Sequence, residues 1–220
     1  MGPVWCVVVA GGSGRRYGGA KQFELLAGRR VIDHSVAAAA SVCDGVVAVL
    51  PADALAGADG AVPGAAAVVA GGDTRAGSVR AGLATVPDDA EVVLVHDAAR
   101  PLATAELFAR VVAAVRAGAP AVVPVVPVAD TIREVVDGAS RVVDRDRLRA
   151  VQTPQGFDAA TLRAAHAADG DATDDAGLVE AAGGVVALVE GEAANRKITD
   201  PDDRLVAEAV LAARTEGPHP

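Results

Sequence analysis

Aromatic side chains are nearly absent from this chain: three Phe, one Tyr and one Trp among 220 residues. The core must therefore be built from small aliphatic groups, and Ala, Val and Gly dominate the sequence. That mixture suits a parallel sheet of Val-rich strands covered by Ala-rich helices. Cysteine is scarce too. Cys6 sits in an apolar run and Cys43 follows an Ala-rich stretch, without the spacing of metal ligands, so both read as free, buried thiols of a reducing compartment. Positive charge is in deficit. A net charge of −9 offers no field for a phosphate backbone and argues against nucleic acid as a partner. No apolar run approaches the ~20 residues of a membrane span, and the opening run lacks the basic flank and length of a secretory signal. The expectation is a cytoplasmic protein with no membrane partner. One α/β domain over residues 1–220 accounts for the length and leaves no room for a fused second enzyme.

Lysine is rarer still among the charged residues, with Lys21 and Lys197 set against 18 arginines. Lys21 closes the stretch that carries most meaning. Val4 to Val9 empties into Ala10-Gly11-Gly12-Ser13-Gly14-Arg15-Arg16-Tyr17-Gly18-Gly19-Ala20-Lys21, which reads as a buried strand opening into a glycine-rich, cationic loop. Glycines let backbone N–H groups approach a ligand, and the cations favour an anion such as a polyphosphate. Two common phosphate devices are excluded. A dinucleotide fingerprint needs a third glycine where Tyr17 stands and an acid after the second strand, where Leu50-Pro51 stands. A Walker A loop needs Gly-Lys followed by Ser or Thr, whereas Ala20 separates Gly19 from Lys21 and Gln22 follows.

Strand-like and helix-like stretches alternate along the chain. Strands are expected at Val4–Val9, Val46–Leu50, Val68-Val69, Val92–Val95, Ala121–Val126 and Val185–Val189. Helices are expected near 31–42, 76–83, 105–117, 162–168, 174–182 and 201–213. This alternation predicts a three-layer, Rossmann-like, mainly parallel sheet. One segment breaks the rhythm: Thr131–Val136, a turn at Asp137-Gly138-Ala139-Ser140, then Arg141–Val143. It reads as a hairpin arm within 130–146, protruding to meet another subunit or else folded back on its own domain.

Val92–Val95 runs into His96-Asp97-Ala98-Ala99-Arg100-Pro101. A carboxylate at the C-terminal end of a parallel strand sits where open α/β sheets bind ligands. Asp97 there is suited to a ligand hydroxyl or a metal ion, and Arg100 to a phosphate held bidentately. The plainer alternative has Asp97 capping the turn and pairing with Arg100. Thr173-Asp174-Asp175 reads as a helix N-cap with an acidic first turn, and His96 as a packing residue beneath the loop.

The run His-Asp-Ala-Ala-Arg-Pro resembles the signature of the 2-C-methyl-D-erythritol 4-phosphate cytidylyltransferase family. The resemblance continues in Gly71-Gly72-Asp73 with Arg75 and Ser78, Asp130-Thr131, Gln152-Thr153-Pro154-Gln155-Gly156-Phe157, Thr173-Asp174-Asp175 and Asn195-Arg196-Lys197-Ile198-Thr199. It implies a nucleotidyltransferase fold and transfer of CMP from CTP to a methylerythritol phosphate, with release of pyrophosphate. Ala10, Gly11, Gly12, Gly14, Gly72, Asp73, Ser78, Asp97 and Ala98 would hold the cytidine. Arg16 and Lys21 would act on the triphosphate. Asp97, Arg100, Thr131 and Lys197 would place the acceptor. Arg16, Lys21 and Lys197 form the catalytic set, Mg²⁺ is the implied cofactor, and the arm would make a homodimer. Three positions depart from the family pattern: Ala20 for a Pro, Val142 for a Thr, and Asp158-Ala159 for an Arg. The arm position Val142 keeps open a cytidylyltransferase for ribitol 5-phosphate or a related polyol phosphate. A non-catalytic nucleotide-binding or assembly protein is the remaining reading.

Overall fold

The computed structural model describes every residue except 12–18, 169–171 and 217–220. Four parallel pairings among the described residues organise the main sheet. Strand β1 (Val4–Val9) is central, with β6 (Val92–Asp97) on one side and β4 (Gly45–Leu50) then β5 (Ala67–Ala70) on the other. At the far side β7 (Ala121–Pro127) carries β12 (Val186–Glu190) as a parallel edge strand. Between β6 and β7 lies β11 (Gln155–Asp158), antiparallel to both. Short β10 (Arg149–Val151) continues along β7 in the same antiparallel sense. Two small hairpins stand apart: β2 (Leu25–Leu26) with β3 (Arg29–Arg30), and β8 (Ile132–Val136) with β9 (Ala139–Val143).

Helices cover both faces, giving the expected three layers. On one side α1 (Val31–Ala40) and α3 (Ala105–Arg116) bury Ile32, Val36, Leu107, Phe108 and Val111 against Cys6, Val8 and Leu94. On the other, α2 (Arg75–Leu83), α4 (Ala159–Ala167) and α5 (Asp175–Ala181) bury Val79, Leu83, Leu162 and Val179 against Val7, Val47 and Val93. Alternate residues of β1 thus feed opposite cores, as the strand period of two demands. Every residue of β4 is buried, which is why it is apolar throughout apart from its leading glycine. The last helix, α6 (Pro201–Glu216), packs Ala207 with Leu26, Val31, Leu102 and Ile198.

Strands β10 and β11 are absent from the sequence expectation. Gln155-Gly156-Phe157-Asp158 offers one large apolar residue, yet Gln155, Gly156 and Phe157 are all buried. Gly156 is the reason: a Cβ there would stand 2.4 Å from Val111 Cγ1, so α3 lies directly on the strand. The arm's turn is also tighter than read. Asp137 and Gly138 have φ of 49° and 79°, the two left-handed positions of a two-residue hairpin turn. Ala139 and Ser140 already pair with Val136 and Val135. Cys6 is buried but Cys43 only partly so, which corrects the reading of both as buried. Burial and the neighbouring Cys43 push the Cys6 thiol pKa up.

Candidate functional site

Val9 is in register with both Asp97 and Val49, so the C-terminal ends of β1, β4 and β6 lie side by side. The loop after β1, the Asp97–Arg100 turn and the Gly71-Gly72 turn after β5 leave the sheet at this edge. Backbone bonds fasten it: Ala10 N–H donates to Val49 O at 2.8 Å, Ala98 N–H to Val9 O at 3.0 Å, and Gly71 N–H to Leu50 O at 2.7 Å. This is the edge at which open α/β sheets bind ligands.

Asp97 is the centre of charge. Lys197 Nζ donates to its Oδ2 at 2.8 Å, and Arg75 Nε stands 3.7 Å from Oδ1. Burial works against the carboxylate, but Lys197, Arg75 and Arg100 outweigh it and hold its pKa at about 2. The anticipated Asp97–Arg100 side-chain pair is not what forms. The Arg100 guanidinium donates to Asn195 O at 2.9 Å and Val151 O at 3.2 Å, while burial lowers its pKa. Asp97 does not use its carboxylate to cap its own turn; Arg100 N–H closes that turn onto Asp97 O at 3.0 Å.

The loop carrying Lys197 is tied to the same edge. Ile198 N–H donates to Ala99 O at 2.8 Å. Buried Asn195 donates through Nδ2 to Thr153 O at 2.9 Å. Lys21 Nζ donates to Ile198 O at 2.6 Å, so the two lysines of the chain meet at the neighbouring residues Lys197 and Ile198. Beneath them, Thr153 Oγ1 accepts from Asp97 N–H and lies 3.0 Å from His96 Nδ1, whose other ring nitrogen is 3.2 Å from Arg100 O. Burial pushes the His96 pKa down to about 4. A neutral ring that donates to Arg100 O and accepts from Thr153 satisfies this geometry.

Ser78 shapes the turn after β5. Its hydroxyl lies 2.9 Å from Thr74 O and 3.2 Å from Gly72 O. Only glycine fits at 71, where a Cβ would meet Ser78 Oγ at 2.7 Å. Ala10 and Ala98 are buried, Gly11 is half-buried, and Gly72 and Asp73 are exposed at the rim. Thr131 stands exposed at the base of the arm, with no hydrogen bond to the Asp97 cluster. Gly12, Gly14 and Arg16 lie outside the described residues. A cavity of about 500 Å³ opens beside the loop, lined among others by Gly11, Gln22, Pro51 and Asp53.

The sequence reading gave Asp175 only a first-turn role and gave His166 no role at the site. Asp175 is fully buried, with Arg75 Nη1 2.7 Å from Oδ2 and His166 Nε2 3.0 Å from Oδ1. Asp174 already caps α5 by accepting from Gly177 N–H at 2.9 Å. A second adjacent acid at a helix start, where one suffices, was the available signal.

A family model described as IspD, 2-C-methyl-D-erythritol 4-phosphate cytidylyltransferase, matches residues 4–213. The chain belongs to this family. The 2-C-methyl-D-erythritol 4-phosphate cytidylyltransferase of Rhodococcus opacus is 48% identical over 225 residues, covering 99% of this chain and 98% of the relative. A crystal structure of the enzyme of that name from Thermus thermophilus superposes with a TM-score of 0.81 at 39% identity, covering 97% of this chain and 100% of that one. A 4-diphosphocytidyl-2C-methyl-D-erythritol synthase from Anaerococcus prevotii gives 0.80 at 29%, covering 96% and 99%. The chain is therefore a cytidylyltransferase of the nucleotidyltransferase fold.

Proposed function

We propose that this chain transfers CMP from CTP to 2-C-methyl-D-erythritol 4-phosphate, giving the CDP-linked alcohol and pyrophosphate for isoprenoid precursor synthesis. The observation that carries the residue assignment is the meeting of Lys21, Lys197 and Asp97 at one sheet edge. The nucleophile is an anionic phosphate oxygen, so no side chain has to remove a proton. The chemical problem is to bring two polyanions together and to stabilise charge on the leaving pyrophosphate. Lys21, and Arg16 from the glycine-rich loop, act on the triphosphate. Lys197 and Arg100 take the acceptor phosphate. Asp97, held ionised, accepts hydrogen bonds from substrate hydroxyls. Backbone at Gly11 and Gly72, with Asp73 and the Ser78-braced turn, holds the cytosine and ribose.

Among the described residues no three His, Cys, Asp or Glu side chains stand where they could hold a metal. The cationic donor set fits a magnesium ion carried by the phosphates and water rather than by a protein cage. When bound, it would neutralise phosphate charge. The arm is read as a dimer contact: among the described residues β8 and β9 pair only with each other, and Val135, Val136 and Val142 are 69%, 57% and 60% exposed. No helix among the described residues is long and apolar enough to cross a membrane. A cytoplasmic location is read from the two free cysteines.

The test is pyrophosphate release from CTP with methylerythritol phosphate, ribitol 5-phosphate and erythritol 4-phosphate as acceptors. The highest kcat/KM for methylerythritol phosphate is expected. A preference for ribitol 5-phosphate would move the acceptor assignment. CTP binding without release of pyrophosphate from any acceptor would leave a nucleotide-binding protein.

A further inference from the structure

Arg75 occupies an unfavourable place for a cation. It is the first residue of α2, where the helix dipole presents partial positive charge, and no acid shares that first turn. What compensates it comes from elsewhere in the chain. Asp175 of α5, fully buried, lies 2.7 Å from Nη1, and Asp97 of β6 lies 3.7 Å from Nε. A wholly buried carboxylate is costly unless its charge is matched and its oxygens are bonded. Arg75 matches the charge, and His166 bonds the other oxygen, its Nε2 lying 3.0 Å from Asp175 Oδ1, opposite the oxygen that faces Arg75. The capping of α5 does not require Asp175, because Asp174 performs it. Four side chains from four elements therefore run in line from His166 through Asp175 and Arg75 to Asp97.

The two oxygens of Asp97 are divided between unlike partners. Oδ2 faces Lys197, whose side chain is 45% exposed and projects from a loop; Oδ1 faces Arg75, which is anchored from behind. An ammonium recruited to the incoming phosphate must loosen its hold on Oδ2. The guanidinium on Oδ1 has no such second task.

We propose that Arg75, anchored by Asp175, is the positioning residue that keeps the Asp97 carboxylate oriented while Lys197 engages the acceptor phosphate. Arg75 itself touches no reacting atom; it acts through Asp97. This rests on the reading of Asp97 as the acceptor of substrate hydroxyls.

Steady-state kinetics with each substrate varied, on Asp97→Asn, Arg75→Gln, Arg75→Lys and the Arg75→Gln/Asp97→Asn pair, tests this. Arg75→Gln is expected to lower kcat/KM for the acceptor about 10-fold, the scale of one lost close ion pair that is partly shielded from water. The loss should fall on whichever of kcat and KM Asp97→Asn moves. Arg75→Lys keeps a cation between the carboxylates and should recover part of it. Adding Arg75→Gln to Asp97→Asn should cost under 2-fold more, because the carboxylate it serves is gone. Full multiplication of the two losses would overturn the proposal. Wild-type kinetics for Asp97→Asn alone would instead overturn the reading of Asp97, and the proposal with it. Arg75→Gln leaves Asp175 buried without its partner, so Arg75→Gln/Asp175→Asn, which removes both charges together, guards against simple misfolding. It should show the same acceptor loss, and wild-type kinetics in that variant would also refute the positioning role.

Discussion

Lys21 and Lys197, 176 positions apart in sequence, meet at the loop after β12: Lys21 donates to the carbonyl of Ile198, and Lys197, next to it, donates to Asp97 of β6. Sequence pattern picked out both through their rarity and their motifs, but not the contact, because it depends on Asn195 and Ile198 fastening that loop to the sheet edge. A flexible ammonium resting on a carbonyl is well placed to transfer to a phosphate oxygen. Lys21→Ala is therefore expected to cut kcat at least ~100-fold, as loss of a transition-state donor does, with a thermal midpoint close to wild type. Near-normal turnover in that variant would remove Lys21 from the mechanism. His96 carries a different expectation, for stability. Its pKa falls from 6.5 unfolded to about 4 folded because burial disfavours the imidazolium. A depressed folded value means the stabilisation is complete above pH 6.5 and is lost as the pH falls toward 4. The size is about 3 kcal/mol. Denaturant unfolding of wild type and His96→Gln at pH 7, 5.5 and 4 should show the wild type losing that much more than the variant. Parallel profiles would mean the ring is already charged in the fold.

At the scale of elements, the Val-rich parallel strands were legible because a strand buried on both faces must be apolar along its length. Strand β11 was not. It is buried by neighbours that fit around a glycine and by polar partners for Gln155, which donates to Asp174 Oδ2 at 2.6 Å and accepts from Ala176 N–H at 3.2 Å. No periodicity announces a strand whose burial is arranged that way. The same long-range chemistry hid Asp175, which looks in sequence like any first-turn acid. Helix α2 offers a sharper case of element packing. Gly82 lies in its last turn, where alanine would raise helix propensity by up to about 1 kcal/mol. A Cβ there would stand 2.5 Å from Val7 Cγ1 and 2.8 Å from Val49 Cγ2, on two buried β-branched residues with little rotamer freedom. Overpacking costs about 1–3 kcal/mol, so the clash should win. Gly82→Ala is expected to lower the unfolding free energy by about 1 kcal/mol while kcat/KM stays near wild type. A gain in stability would show that the strands can yield.

For the whole molecule, the arm is where a single chain falls short of explaining itself. A two-stranded hairpin is marginal in water without a further surface, and this one has no strand partner in the main sheet. The register puts Val135 and Val142 on one face with Arg133, which bonds Ser140 across the pair. The other face carries Val136 and the Glu134–Arg141 ion pair. Cross-strand polar bonds thus hold the hairpin's shape while its valines remain exposed, as expected of an element built to be covered by a second copy. Placing charge at the centre of the first face, Val135→Glu with Val142→Glu, should leave the main sheet untouched. Because like charges on one face resist a mating surface, sedimentation is expected to find the variant monomeric and the wild type dimeric. If the proposed dimer also completes the acceptor site, the same variant should lose acceptor turnover while CTP affinity changes little. A variant that stays dimeric would place the subunit contact elsewhere. A variant that becomes monomeric yet turns over normally would leave each active site complete within one chain.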